Sequence, residues 1–160
     1  MMAANISSIR DEVARLITLS TPDVEPGLAF KEVSSPEPLE AQPLPARPFD
    51  SMRGFHVLSD LHAGVVAWSP YPELLGMLSV RVRYIADRTR TSLVRLHDMA
   101  SADCARIHRD TCEPVRSDAY SGLAHFINAE QVGSAFVQVP DREGLWLLLI
   151  DLQVHYILGD

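Results

Sequence analysis

Asp60-Leu61-His62 closes an apolar run, FHVLSDLHAG, from Phe55 to Gly64. A carboxylate and an imidazole two residues apart at the mouth of a strand can hold one ion of a two-metal hydrolytic centre. A second set, Cys104, His108 and Cys112, recurs at four-residue steps. On one face of a helix, Cys-x3-His can chelate a soft ion such as zinc. His97, His125 and His155 are further candidate acids or bases, and Arg81, Arg83, Arg88, Arg90 and Arg95 form a local basic cluster.

None of these sets is complete. A two-metal site also needs a bridging carboxylate, an Asn-His pair and later histidines. Binuclear metallophosphoesterases supply them as Gly-Asp-x-x-Asp, Gly-Asn-His and Gly-His-x-His elements. Here the only Gly-Asp is Gly159-Asp160, neither Asn5 nor Asn128 precedes a histidine, and Gly-His does not occur. SDLHAG therefore reads as a turn between two short strands. A structural zinc site wants four ligands, and a fourth would have to come from a distant histidine. On the inner face of a helix, Cys104 and Cys112 serve as small apolar residues. Gly-x-Ser-x-Gly is absent, and the glycines are too scattered to cradle a phosphate. The three other histidines read as packed or rim residues. No catalytic, metal or cofactor-binding residue is expected.

The elements behind these residues are legible from periodicity. Ile6, Ile9, Val13, Leu16 and Ile17 predict an amphipathic helix over 7–19, stopped by Thr21-Pro22. A short strand is expected around 27–33, then strands at 55–58 and 64–68. In MLSVRVRYIAD, Leu78, Val80, Val82 and Tyr84 face one way, while Ser79, Arg81 and Arg83 form a polar, cationic side. A second helix over 91–111 has Leu93, Leu96, His97, Ala100, Cys104, Ile107 and His108 inside. Arg95, Asp98, Asp103, Arg106 and Asp110 fall outside. After an ambiguous 115–130, a strand at 132–139 and a turn at 140–144 lead to LWLLLIDLQVHYIL. There Trp146, Leu148, Ile150, Leu152, Val154, Tyr156 and Leu158 make one apolar face. The fold class is α+β: a mainly antiparallel sheet with two helices packed on it, plus a proline-rich extended arm. The divisions are 1–20 (helix), 21–50 (arm or exposed loop) and 51–160 (core), within one domain.

Composition agrees with a single globular domain. The chain has 160 residues, 47% of them hydrophobic and 22% charged. No apolar run reaches the roughly 18 residues of a membrane helix, and 1–16 lacks the pattern of a signal peptide. The net charge of −7 argues against broad nucleic-acid affinity. Charge is uneven: Asp23, Glu25, Glu32, Glu37, Glu40 and Asp50 crowd the arm with seven prolines, against Lys31 (the only lysine) and Arg47. Cys104 and Cys112, about 12 Å apart on a helix, exceed the roughly 7 Å reach of a disulfide, so two free thiols are expected.

The order of elements carries a resemblance. IRDEVARLI, a proline-bearing extended segment, LSVRVRYIAD, SLVRLHDMASADCARIH and a terminal GLWLLLIDLQVHYIL follow one another. This resembles the tail terminator (tail completion) proteins of long-tailed bacteriophages and related prophage minor tail proteins. The resemblance implies a structural virion protein, made in the host cytoplasm and placed at the head-tail interface. It would form a homohexameric ring that caps the tail tube, stops its growth and meets the head-tail connector protein, with DNA passing through the lumen. It implies no catalytic residues. An acidic arm and a basic strand face on one chain suggest complementary contacts between subunits, with Lys31, Glu37, Glu40, Arg47, Arg81, Arg83, Arg88 and Arg90 as interface residues. The competing expectation is a small cytoplasmic protein-binding protein of the immunity type, monomeric or dimeric.

Overall fold

A computed structural model of the chain describes residues 2–33, 38–42, 52–67, 71–86 and 92–158. The order is β1 (Met2–Ala3), α1 (Ile6–Leu19), β2 (Lys31–Glu32), β3 (Gly54–Ala67), β4 (Glu73–Ile85), α2 (Leu93–Thr111), β5 (Leu123–Ala124), β6 (Phe126–Gln138) and β7 (Leu145–Ile157). Five strands form one sheet in the order β2-β3-β4-β7-β6. Its long strands are all antiparallel; only the short β2 runs parallel to β3. A separate parallel pair, β1 with β5, fastens the residues before α1. The α+β class, the mainly antiparallel sheet and the two helices are as the periodicity predicts.

β7 holds the sheet together. It pairs with β4 from Leu145 to Ile157 and with β6 on its other side. Its inward residues Leu148, Ile150, Leu152, Val154 and Tyr156 are buried, as are Leu78, Val80, Val82 and Tyr84 beside them. Both helices lie on this face. α1 opens with a reciprocal cap, in which Ser8 N donates to Asn5 Oδ1 (2.8 Å) and Asn5 N to Ser8 Oγ (2.9 Å). It then buries Ile9, Val13, Leu16 and Ile17. Gly76 lets it come close: a Cβ there would sit 2.6 Å from Ile6 Cδ1. α2 starts at Ser92, whose hydroxyl accepts from Arg95 N.

Several boundaries and faces differ from the sequence expectation. SDLHAG is not a turn. β3 runs through it, with pairing resumed at Gly64↔Leu75 after a register shift, so the extra residues are absorbed as an irregularity within one long strand. Two strands, not three, therefore separate the arm from α2. The strand expected at 27–33 shrinks to Lys31–Glu32, and β6 begins at Phe126 rather than 132.

The inner face of α2 is Leu96, Met99, Ala100, Asp103, Ile107, Asp110 and Thr111; Leu93 and His97 are exposed. Asp103 and Asp110 turn inward because each meets buried partners. Asp110 Oδ2 accepts from Ser20 Oγ at the end of α1 (2.6 Å) and from Arg106 Nε (3.0 Å).

Asp103 meets Arg53, and both side chains are 0% exposed. Arg53 Nε donates to Asp103 Oδ2 (2.7 Å) and Nη2 to Oδ1 (3.0 Å), a two-point pair. The remaining guanidinium hydrogens go to the carbonyls of Val24, Glu25 (2.7 Å) and Leu28 (2.8 Å). Five donors find five acceptors. Tyr84 Oη donates to Asp103 Oδ2 as well (2.6 Å). Burial raises the Tyr84 phenol far above its ordinary value, with the Asp103 charge acting the same way. Burial also pushes the Asp103 carboxyl up, opposed by the hydrogen bonds from Arg53 and Tyr84.

α1 is also tied to the segment before β5. Glu12 accepts from Arg15 Nη2 (2.5 Å) and Nε (2.9 Å) and from the backbone N of Tyr120 (3.0 Å). The bond to Arg15 is the main cause of its lowered pKa.

The buried Arg53–Asp103 pair and the part-buried Glu12 each give a testable expectation. Arg53→Met should lower stability by about 3–5 kcal/mol, because it strands a buried carboxylate and three carbonyls. The double variant Arg53→Met/Asp103→Leu should recover part of that loss; equal denaturant midpoints for wild type and Arg53→Met would refute the assignment. For Glu12 the folded pKa lies below the usual 4.5, so its stabilisation is full above that value and fades as pH falls through the folded pKa. Denaturant midpoints followed from about pH 6 to about pH 3 should fall less steeply in Glu12→Gln than in wild type.

Candidate functional site

The face of the sheet turned away from the helices carries the residues that matter for contacts. Arg81 and Arg83 lie on it, opposite Leu149 and Leu147 of β7. Rather than forming a solvated cationic strip, Arg83 is buried and Arg81 is partly covered. Arm residues 38–42 cross this end of the sheet, with Leu39 fully buried and Glu40 Oε1 3.1 Å from Arg81 Nη1. Arg142, in the β6–β7 turn, donates Nη1 to the carbonyls of Glu40 (2.8 Å) and Gln42 (2.7 Å). Arg83 is buried, and that burial, with the nearby Arg142 charge, draws its pKa below the ordinary arginine value. This part of the arm is a packed strap, not an exposed loop.

Acid and base thus meet inside one chain. Glu40 pairs with Arg81, Glu25 with Arg95 (2.7 Å) and Glu32 with Arg10 (3.1 Å). Lys31 is exposed on β2, at the margin of the sheet. Glu37, Arg47, Arg88 and Arg90 lie outside the described residues. Arg142 and Arg53 were not singled out from sequence. Arg142 sits in a turn that reads only as polar punctuation, and Arg53 precedes a strand with no pattern of its own.

The remaining candidates are dispersed. Cys104 and His108 line a groove of about 650 Å³ between α2 and β6, together with His97, Ala100, Gln131 and Phe136. His97 packs edge-on to Phe136 and Trp146, at 4.9 and 5.6 Å between ring centres. Gln131 Nε2 contacts Cys104 Sγ at 3.5 Å. Both cysteines are free thiols. Burial raises the Cys112 pKa, the wrong direction for a thiolate ligand. Among the described residues no group of three or more His, Cys, Asp or Glu is placed to hold a metal ion. Asp60 and His62 fall within β3, where their side chains lie outside the described residues. No helix is long and apolar enough to cross a membrane among the described residues.

Further along the same outward face, past the strap, Asp151 and Glu130 are exposed on neighbouring strands, in the rows of Ser79 and Gln153. Among the described residues the sheet ends in two long unpaired edges. No described strand lies beyond β6 over its 13 residues, with Ile127, Val132 and Val137 exposed. β3 is covered by β2 only at Gly54 and Phe55, and the Arg10 guanidinium occupies the Val57 carbonyl (2.7 Å). From Leu58 onward no described strand pairs with its outer side, and Leu58, Val65 and Val66 are exposed.

Arg142 should be the latch of the strap. Two charged hydrogen bonds to carbonyls are worth about 2–3 kcal/mol together. Arg142→Ala should therefore raise thermolysin cleavage at Leu39 at least about tenfold while the global unfolding transition stays cooperative. An unchanged cleavage rate would show that Arg142 does not hold the strap.

No family model matches the chain, and no curated protein matches it.

Proposed function

We propose that the protein is a structural ring subunit, the tail terminator that caps a phage tail tube and joins it to the head-tail connector. One observation carries the reading: a five-stranded sheet with both helices on one face and, among the described residues, two different open edges. Two unlike margins favour head-to-tail association, which closes into a ring when the rotation per subunit allows. The element order that resembles tail terminators supports the same reading.

The sheet face supports the same reading in its chemistry. The face left open beyond the strap carries Glu130 and Asp151. Turned toward a lumen, these carboxylates would repel phosphates, so that DNA passes without binding. The strap, the connector and the tube protein would then meet at the two rims.

The test is native mass spectrometry of the purified chain over a wide range of concentrations. The expected species is six times the 17.7 kDa protomer. A monomer at every concentration, both alone and with isolated tail tubes, would overturn the ring and favour a protein that binds a single partner.

A further inference from the structure

We propose that neighbouring subunits join by sheet extension: the free edge of β6 in one copy pairs antiparallel with β3, from Leu58 onward, in the next. This rests on the ring reading above and names its contact.

Four observations converge on this pairing. First, neither strand carries the lysine or proline that commonly blocks edge pairing, although β3 bears Asp60 and both strands have irregular register. β6, FINAEQVGSAFVQ, has no lysine and no proline, and Glu130 is its only charge. Second, the directions match. β3 is antiparallel to β4, β4 to β7, and β7 to β6. β6 therefore runs opposite to β3, and an identically oriented copy placed beside it continues the antiparallel alternation. Third, the open stretches lie at the same level. Leu58, Ser79, Asp151 and Gly133 share one row across the sheet, and Val65, Leu74, Tyr156 and Phe126 another. The open rows of β3 from Leu58 to Val65 thus face β6 from Gly133 back to Phe126.

Fourth, the charges complement one another below those rows. There β2 replaces β3 as the outermost strand and presents Lys31, level with Gly54. The corresponding end of β6 leads into the turn bearing Asp141 and Glu143, both exposed. A neighbour's Lys31 would arrive beside these carboxylates, which fixes the direction of pairing as well as adding attraction. The side chains at the margins, Ile127, Val132 and Val137 on β6 and Leu58, Val65 and Val66 on β3, are 40–54% exposed in the single chain. The contact would cover them. A strand added to β6 would also lie along the α2 groove, where Ala100, Cys104 and Ala105 leave room for its inward side chains.

The test uses two variants that each disable one edge, Val132→Arg on β6 and Val66→Arg on β3. Both sites are at least half exposed, so the monomer should keep its fold, checked by circular dichroism and the unfolding midpoint. Val94→Arg, on the exposed side of α2, is the control. The expected result is a hexamer for wild type and the control, a monomer for each edge variant alone, and a one-to-one dimer when the two variants are mixed. The mixture retains one intact β6 edge and one intact β3 edge, which only unlike pairing can use. Edge variants that still form hexamers would overturn this contact and leave the ring intact. Dimers of Val66→Arg alone would show β6 pairing with itself and overturn the unlike pairing. A wild type that never assembles would remove both the contact and the ring.

Discussion

A guanidinium buried without water must have every hydrogen satisfied, and this requirement at Arg53 organises the middle of the molecule. Its donors reach the Asp103 carboxylate on α2 and three carbonyls between Val24 and Leu28. Arg53 itself has a left-handed backbone (φ 61) at the entrance to β3, and its N donates to Arg83 O at the end of β4 (2.7 Å). One residue therefore joins the chain after α1, the two central hairpin strands and the second helix. Tyr84 adds the inner face of the sheet through Asp103. Apolar burial explains why the helices lie on the sheet. It does not choose their rotation, and a carboxylate that can end only against Arg53 does.

The arm follows the same logic on the opposite face. A proline-rich segment has little of its own to hold it, since proline lacks the donor that would enter a ladder. Leu39 supplies an apolar anchor, and Arg142 binds the carbonyls on either side of it. The acidic character of the arm is then partly spent within the subunit, Glu40 on Arg81 and Glu25 on Arg95. Charge complementarity between arm and strand, inferred from composition, is real at Glu40, but its visible partner is the same chain. Lys31, at the margin of the sheet, is exposed.

The sequence made the strands and helices legible wherever one face is uniformly apolar. β7 and the inward face of β4 from Leu78 to Tyr84 follow the period-two alternation, whereas β4 begins at Glu73, four residues before the alternating stretch. α1 was equally clear. For α2 the pattern predicts the helix but not its rotation: it places the aspartates in solvent, and Asp103 and Asp110 are buried. The reason is distance. Asp103 finds Arg53 50 residues earlier and Asp110 finds Ser20 90 residues earlier, and no local pattern announces either partner. The strap was illegible for the same cause, since Arg142 lies 102 residues from Glu40. SDLHAG misled in the other direction. Its turn-forming composition is local, whereas the continuation of β3 is set by pairing with β4 on both sides of the irregularity.

Long open edges are a hazard for a protein that works alone, because any extended chain can add to them. This sheet hides its β2 end with an arginine on the Val57 carbonyl and closes its lower outer face with the strap. Among the described residues no strand covers the outer edge of β6 or of the upper part of β3, and neither strand carries lysine or proline. The edges differ in flanking charge and point in opposite directions, so pairing one with the other satisfies both, whereas pairing like with like leaves the second edge open. Closure after a small number of copies is then the arrangement that leaves no edge exposed.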